Sequence, residues 1–97
     1  MRPVLADDIL MALRALHRVA APQRAARLGQ WLDEAHWADL YRKRFCRAHP
    51  RWGNGSLMAR VMAEPLGART GPGGLDLEAL FLVVAALRDW RGRAVSR

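Results

Sequence analysis

The longest apolar run in this chain, ALFLVVAAL at residues 79–87, most constrains its fold. As a helix the run has no polar face, and a helix that is apolar all round must be buried all round. It is far shorter than the roughly 20 residues that a membrane span requires. A chain of 97 residues has few other elements with which to surround such a helix. We therefore expect part of its burial to come from other copies of the chain.

Apolar residues at helical spacing predict an all-α fold, a small four-helix domain with a long second helix and an apolar fourth helix. Asp7 and Asp8 stand in the opening turn of the first helix, where carboxylates satisfy unpaired amides. Pro50 closes the second helix, and Ser56 and Asp76 cap the third and fourth. The predicted helices cover about residues 6–20, 22–48, 56–63 and 76–90.

One domain is expected from this length, spanning residues 1–97. Within it, residues 65–74 (PLGARTGPGG) predict a flexible Gly/Pro linker. Residues 91–97 predict a frayed basic tail. No segment predicts a convincing strand.

The apolar surface of the second helix changes face along the helix. Its first half has one apolar face, formed by Leu28, Trp31, Leu32 and Ala35. Beyond residue 36 the apolar surface moves to Trp37, Leu40, Tyr41 and Phe45. Either the first helix covers one half and the fourth helix the other, or the aromatic residues meet another subunit. Under the second interpretation, the candidate homo-oligomer interface comprises Trp37, Leu40, Tyr41 and, from the fourth helix, Leu82.

Residues 41–58 (YRKRFCRAHPRWGNGSLM) combine cations with aromatic rings and contain no acid. The candidate contacts to nucleic acid or an acidic partner are Arg42, Lys43, Arg44, Arg47 and Arg51. The formal net charge of +7 also favours polyanionic partners. A purely structural origin remains open, because the macrodipole favours cations in the last turn of a helix by about 0.3–1 kcal/mol. The break at residues 49–55 is too long for a helix-turn-helix motif, so sequence-specific DNA reading is not expected.

Catalytic and metal sites are not expected in this sequence. Cys46, His49 and His36 would supply three zinc ligands where a structural site needs four. A lone thiol such as Cys46 is more often a small core residue than a nucleophile. Residues 53–56 (GNGS) resemble a phosphate-binding turn, but a structural turn with a helix cap is the better interpretation. The chain is predicted to be no enzyme and to have no cofactor.

The compartment is predicted from what the sequence contains. Asp7 and Asp8 interrupt the N-terminal stretch where a signal peptide would be continuously apolar. The single cysteine, Cys46, excludes an internal disulfide and suits a reducing compartment. A cytoplasmic protein with no membrane contact is expected.

The segment RAHPRWGNGSLM, residues 47–58 of a chain that begins MRPV, resembles a small bacterial family associated with phage-like gene transfer agent clusters. The segment covers about one eighth of the chain. The resemblance implies a small terminase subunit, which is non-enzymatic, mostly helical and ring-forming. Such a subunit binds the DNA to be packaged and passes it to the large terminase. Many small terminases carry an N-terminal helix-turn-helix domain, for which this chain has no room.

The function expected from these observations is that of a non-enzymatic oligomeric adaptor in a phage-like DNA-packaging machine. It would bind the DNA backbone, the large terminase or both. Its expected partners are further copies of itself, the large terminase and non-specific DNA. The alternative is a small basic regulatory protein that binds an acidic surface of a transcription or signalling partner.

Overall fold

The computed structural model describes residues 1–67 and 76–95, with side chains of the second segment as far as Arg93. The fold is all-α, 68% helical, as the sequence predicts. Its elements are α1 (Ala6–Leu16), a short 3-10 helix (Ala21–Gln23), α2 (Arg24–Phe45), α3 (Leu57–Val61) and α4 (Leu77–Val95). No strand occurs in the described segments. An isolated antiparallel bridge joins His49 to Gly53. Most of the predicted linker, at residues 68–74, lies outside the described residues.

Helix α1 ends four residues before its predicted end at Ala20, because the chain turns towards α2. Ala20 is extended, with φ −59° and ψ 138°. The 3-10 helix that follows contains Pro22, which fixes φ and disfavours helical geometry at the residue before it. Arg24 then caps α1 from the next helix, since its Nε–H donates to the carbonyls of Leu16 and Val19, both at 3.1 Å.

The other helix ends also have identifiable causes. Helix α2 stops at Phe45 rather than at Ala48, because Cys46 adopts the left-handed conformation (φ 56°) and its N–H donates to the Arg42 carbonyl at 2.8 Å. The predicted cap of α3 is confirmed, since the Ala59 N–H donates to Ser56 Oγ at 3.1 Å. Helix α4 continues past its predicted end at Trp90 to Val95. Residues 91–95 of the predicted frayed tail are thus part of α4, and residues 96–97 lie outside the described residues.

The core lies between the four helices and includes the predicted apolar face of α2. Helix α3 packs on α1 and α2, and α4 packs on the same two helices. The side chains in the core include Leu13 and Leu16 of α1, Leu28, Trp31 and Leu32 of α2, Leu57 and Val61 of α3, and Val83 of α4. The first half of α2 is thus covered from within the chain.

The second half of α2 is not covered in this way. Trp37 is 61% exposed, Leu40 41% and Phe45 50%. The interpretation in which the fourth helix covers this half is therefore wrong for these three side chains.

Helix α4 is buried on one side only. Ala79 and Val83 are buried, and Leu82 packs against the core of its own chain. On the opposite side Leu77 is 71% exposed, Phe81 75% and Val84 42%. Complete burial of this helix, as its composition suggests, is therefore not achieved within one copy. No helix in the described part of the chain is long and apolar enough to cross a bilayer.

Two buried charged groups fasten α3 to its neighbours. The Asp8 carboxylate accepts the Leu5 N–H at the start of α1 and the Met58 N–H at the start of α3, both at 2.7 Å. Arg60 is buried and pairs with Glu34 of α2 at 2.8 Å and with Glu64 at 2.9 Å. Among the acids of α2, Asp39 pairs with Arg42 and Lys43 of its own helix, three and four residues further on. Glu34 instead pairs with a buried arginine of another helix.

Candidate interaction surface

The loop after α2 folds back on itself and holds two aromatic rings in place. The N–H of His49 donates to the Gly53 carbonyl at 2.8 Å, and the Gly53 N–H donates to the His49 carbonyl at 3.1 Å. Gly53 has φ +82°, which suits a residue without a Cβ atom. Inside this turn, His49 Nδ1 accepts the N–H groups of Arg51 and Trp52, each at 3.1 Å. The imidazole is thereby fixed against its own backbone.

The rings of the loop pack on those of α2. His49 stacks on Trp52 with a centroid distance of 4.7 Å and an interplanar angle of 11°. Its edge meets Tyr41 at 4.8 Å, and Tyr41 contacts Phe45 at 4.6 Å. Aromatic pairs of this geometry stabilise by about 0.5–1.5 kcal/mol each beyond their buried area. The four rings therefore form one continuous layer across α2 and the loop.

Beside this layer lies an open groove of about 440 Å³, here called the aromatic groove. It is lined by Trp37, Leu40, Tyr41, Arg44, His49 and Trp52. Candidate interface residues and one candidate basic residue thus line the same groove. In the sequence, the candidate interface residues and the candidate basic residues form two separate sets, whereas the fold places Arg44 of the basic set on the same surface as Trp37, Leu40 and Tyr41.

The five candidate basic residues divide into two groups. Arg42 Nη2 lies 2.9 Å from Asp39 Oδ1, and Lys43 Nζ lies 3.2 Å from Asp39 Oδ2. These two cations are therefore partly neutralised by an acid that lies just before the basic stretch. The remaining three are exposed and form no ion pair with another described residue: Arg44, Arg47 and Arg51. Arg44 also lies over the ring of Phe45, 5.8 Å from its centroid.

Asp39 connects α2 to the loop and to the N-terminal segment. Its carboxylate also lies 3.4 Å from the Met1 ammonium group. Burial alone would raise the pKa of Asp39, but the hydrogen bonds from Arg42 and Lys43 and the nearby ammonium outweigh it and lower the pKa to about 2. Gly55 packs directly on this residue, since a Cβ atom at Gly55 would lie 2.6 Å from Asp39 Cα. The buried carboxylate of Asp39 is thus compensated by three cations, of which the Lys43 side chain is largely exposed.

The thiol and imidazole groups singled out in the sequence have different surroundings. Cys46 is exposed, so its interpretation as a small core residue is wrong. His36 accepts a hydrogen bond from the Met1 ammonium at 2.8 Å and meets the Trp90 ring edge-on. Burial, and then the adjacent ammonium, lower the pKa of His36. Within the described ranges, no group of three or more His, Cys, Asp or Glu residues is placed to hold a metal ion.

Residues 53–56 form a structural turn, as the sequence analysis favoured. The Ser56 N–H donates to Asn54 Oδ1 at 3.1 Å, and Ser56 Oγ in turn accepts the Ala59 N–H. The Met58 N–H is already bound by Asp8. Three of the amides that a phosphate would need at the start of α3, those of Ser56, Met58 and Ala59, are therefore engaged by side chains of the protein.

Some features of this surface and of the rest of the molecule could not be read from the sequence. The pairing of Arg42 and Lys43 with Asp39 has a partial sequence signal, because acid and base stand three and four residues apart on one helix. The burial of Asp39 has no such signal, since it depends on Gly55 and the N-terminal segment. The exposed side of α4 also has no local signal, because every residue of its apolar run is hydrophobic.

Fold and surface together define a small all-α protein with an exposed aromatic groove lined in part by Arg44, which forms no ion pair with another described residue. The chain belongs to the family described as "Domain of unknown function (DUF7742)", whose sequence model matches residues 2–87. No curated protein and no solved structure shows significant similarity to it.

Proposed function

We propose that this protein is a non-enzymatic, oligomeric adaptor of a phage-like DNA-packaging machine, and that the aromatic groove binds an acidic surface of the large terminase. The observation that carries the proposal is the exposure of Trp37, Leu40 and Phe45 next to Arg44. Aromatic residues and arginine are enriched where proteins bind each other, and they contribute most of the binding energy there.

The charges of the basic stretch that contains Arg44 favour an acidic partner. Arg44, Arg47 and Arg51 are exposed and have no acidic counterpart among the described residues. Guanidinium groups bind carboxylates in a bidentate manner, so they suit an acidic protein face. The packaging role itself comes from the resemblance of residues 47–58 to the gene transfer agent family.

Direct DNA binding is the weaker part of the proposal. With Arg42 and Lys43 engaged by Asp39, three exposed arginines of the candidate set remain for phosphate contacts. Each neutralised phosphate adds about 0.9 to the slope of log affinity against log salt, so we expect this set to contribute a slope of magnitude about 3 or less. DNA binding of this strength would assist the protein contact rather than replace it.

A regulatory role is the second candidate, and the same groove supports it. An acidic surface on a transcription or signalling protein would satisfy the same rings and arginines. The two candidates differ only in the partner, so partner binding distinguishes them.

The test is capture of purified large terminase by this protein. We expect wild-type protein to retain terminase and the Trp37→Ala and Arg44→Glu variants to lose at least about tenfold in affinity, the scale of a central interface residue. Arg18→Glu is the matched control, because Arg18 is exposed at the end of α1 and away from the lining of the groove. Its affinity should match that of the wild type.

Two results would contradict the packaging role. One is absence of terminase binding together with capture of a single transcription or signalling protein through the same residues. The other is a loss of terminase binding in Arg18→Glu equal to that in Arg44→Glu, which would mean that net charge rather than the groove carries the interaction. DNA retardation measured over a salt series would report the backbone contact separately.

A further inference from the structure

Helix α4 carries an exposed stripe that no described part of its own chain covers. Leu77, Phe81 and Val84 are its apolar residues, and Arg88 and Arg91 continue it. With about 100° between successive residues, these five positions lie within about 40° of a single line along the helix. The stripe is thus apolar in its first half and basic in its second.

Acidic residues border the apolar half. Asp76 and Glu78 are exposed on opposite flanks of the stripe, and neither forms an ion pair with another described residue. Arg88 and Arg91 likewise have no acidic partner there. Asp89 lies on the same flank as Glu78, about 120° round the helix from Leu77, and is outnumbered in the second half of α4 by the exposed Arg88, Arg91 and Arg93. Charge along the exposed face therefore runs from acidic to basic.

We propose that α4 pairs antiparallel with α4 of a second copy of this chain. An antiparallel pair places the acidic end of each helix against the basic end of the other, whereas a parallel pair places like charges together. The macrodipoles of two antiparallel helices point in opposite directions, and this arrangement is electrostatically favourable. Charge complementarity thus indicates that this face binds the same face of another copy. Such a self-complementary contact is the kind that two-fold symmetry requires.

The spacing of the charges fixes the register of the pair. Glu78 opposite Arg88 requires the two-fold axis at residue 83, and Asp76 opposite Arg91 requires it between residues 83 and 84. Both pairs therefore meet in one register, each on its own flank. Phe81 and Val84 lie on either side of that axis and pack in the middle of the interface, with ion pairs at both ends.

Part of the stripe borders an open groove. This groove of about 460 Å³ runs between α4 and the N-terminal segment. Val84, Arg88 and Arg91 line it on one side, and Arg2 and Pro3 on the other. Pairing also completes the burial of the apolar run, which one copy leaves half exposed.

This inference rests on the proposed function in one respect, because it names the contact through which the copies of the oligomeric adaptor meet. The aromatic groove stays free to bind the partner protein.

Sedimentation equilibrium at low ionic strength tests the pairing of α4, and the expected mass is at least twice the 10.9 kDa of one chain. Phe81→Asp should shift the protein to the monomer. Met62→Asp, at an exposed apolar residue of another element, should not.

A charge-reversal cycle tests the orientation. Glu78→Arg and Arg88→Glu should each raise the dissociation constant by about tenfold or more, because two-fold symmetry breaks each pair twice. The double variant should return to within about threefold of the wild type, a restoration expected for groups that interact directly. Glu78 and Arg88 are ten residues apart in one helix, about 15 Å, so restoration reports contact between copies.

Three results would overturn the inference. A double variant that stays as weak as the single ones excludes this register. An assembly that Phe81→Asp leaves intact places the interface elsewhere and leaves the oligomeric adaptor standing. A wild-type monomer removes both this interface and the oligomeric part of the proposed function, while terminase capture still reports on the aromatic groove.

Discussion

At the scale of single residues, Asp39 joins three parts of the chain. It accepts from Arg42 and Lys43 of its own helix and lies against the Met1 ammonium of the N-terminal segment. Gly55 of the loop packs on its Cα atom. Since the residue is buried and its charge is compensated by three cations, its ionisation is coupled to folding.

The pH dependence of stability follows from this coupling. The pKa of Asp39 is about 2 in the folded protein, compared with an ordinary value of 3.8. A depressed pKa stabilises the fold above the ordinary value, and the contribution is lost as pH falls from about 4 to 2. At neutral pH it amounts to about 2 kcal/mol. We expect Asp39→Asn to lower the free energy of unfolding at pH 6 and to differ much less from the wild type at pH 2.5.

Denaturant titrations of both proteins at the two pH values measure this difference. If the free energy of unfolding differs between wild type and Asp39→Asn by the same amount at pH 6 and at pH 2.5, the carboxylate charge does not stabilise the fold. Asp33→Asn is a suitable control, because Asp33 is exposed and forms no ion pair with another described residue.

Two glycines provide a matched pair of substitutions. Gly55 has φ +98°, and an added Cβ atom would meet Asp39 at 2.6 Å, so Gly55→Ala must shift backbone. We expect it to cost more than about 2 kcal/mol of folding free energy. Gly29 lies inside α2 with no atom within 4 Å of an added Cβ atom. Gly29→Ala should therefore stabilise the protein by about 0.5–1 kcal/mol. Thermal unfolding of both variants tests the pair, and the expected shifts have opposite sign.

At the scale of elements, α3 is a five-residue helix that depends on its contacts. Isolated helices of this length are unstable in water. Its start is held by Ser56 from within the segment and by Asp8 from α1. Its side is held by Leu57 and Val61 in the core and by the ion pairs of Arg60. The carboxylate of Asp8, which caps α1, thus also helps to determine where α3 begins.

We expect Asp8→Ala to destabilise the protein by about 2–3 kcal/mol, because it leaves the N–H groups of Leu5 and Met58 without their charged acceptor. Asp7→Ala is the control in the same turn, since Asp7 is exposed and the substitution should change stability by less than about 0.5 kcal/mol. Chemical denaturation gives both values. Equal losses in the two variants would mean that only the helix dipole is involved.

At the scale of the whole molecule, helical periodicity predicts the number and order of the helices and the buried face of α2. It succeeds at Leu28, Trp31 and Leu32 because these residues repeat with the period of the helix and lie in the core. Turn and cap residues predict the ends of the helices less well than periodicity predicts the helices themselves. Pro50 indicates that α2 must stop, but the stop occurs earlier, at Cys46, whose left-handed conformation has no signal in its residue type.

Contacts between distant segments account for what the sequence could not predict. Asp39 is paired and buried because the N-terminal segment and Gly55 approach it, and Arg60 is buried because α3 packs on α2. Neither approach has a local signature. The sequence does not predict the aromatic groove, since only the return of the loop onto α2 brings Trp52 beside Trp37 and Arg44.

Helix α2 has one tryptophan in the core and one on the surface, so the two environments can be tested separately. Trp31 is fully buried, and Trp31→Ala should lower the free energy of unfolding by about 3–5 kcal/mol. Trp37 is largely exposed, and Trp37→Ala should change it by less than about 0.5 kcal/mol. Calorimetry or denaturant unfolding measures both. A large loss in Trp37→Ala would mean that this ring belongs to the folded core rather than to a binding surface.

The position of Cys46 has a practical consequence. It is the only cysteine of the sequence, it is exposed, and it follows directly after the last residue of α2. A maleimide dye would therefore attach at one defined point, without engineering, next to Phe45 and Arg47. Its emission would report occupancy of the neighbouring surface in real time, so that association rates could be followed by stopped-flow fluorescence on the natural chain.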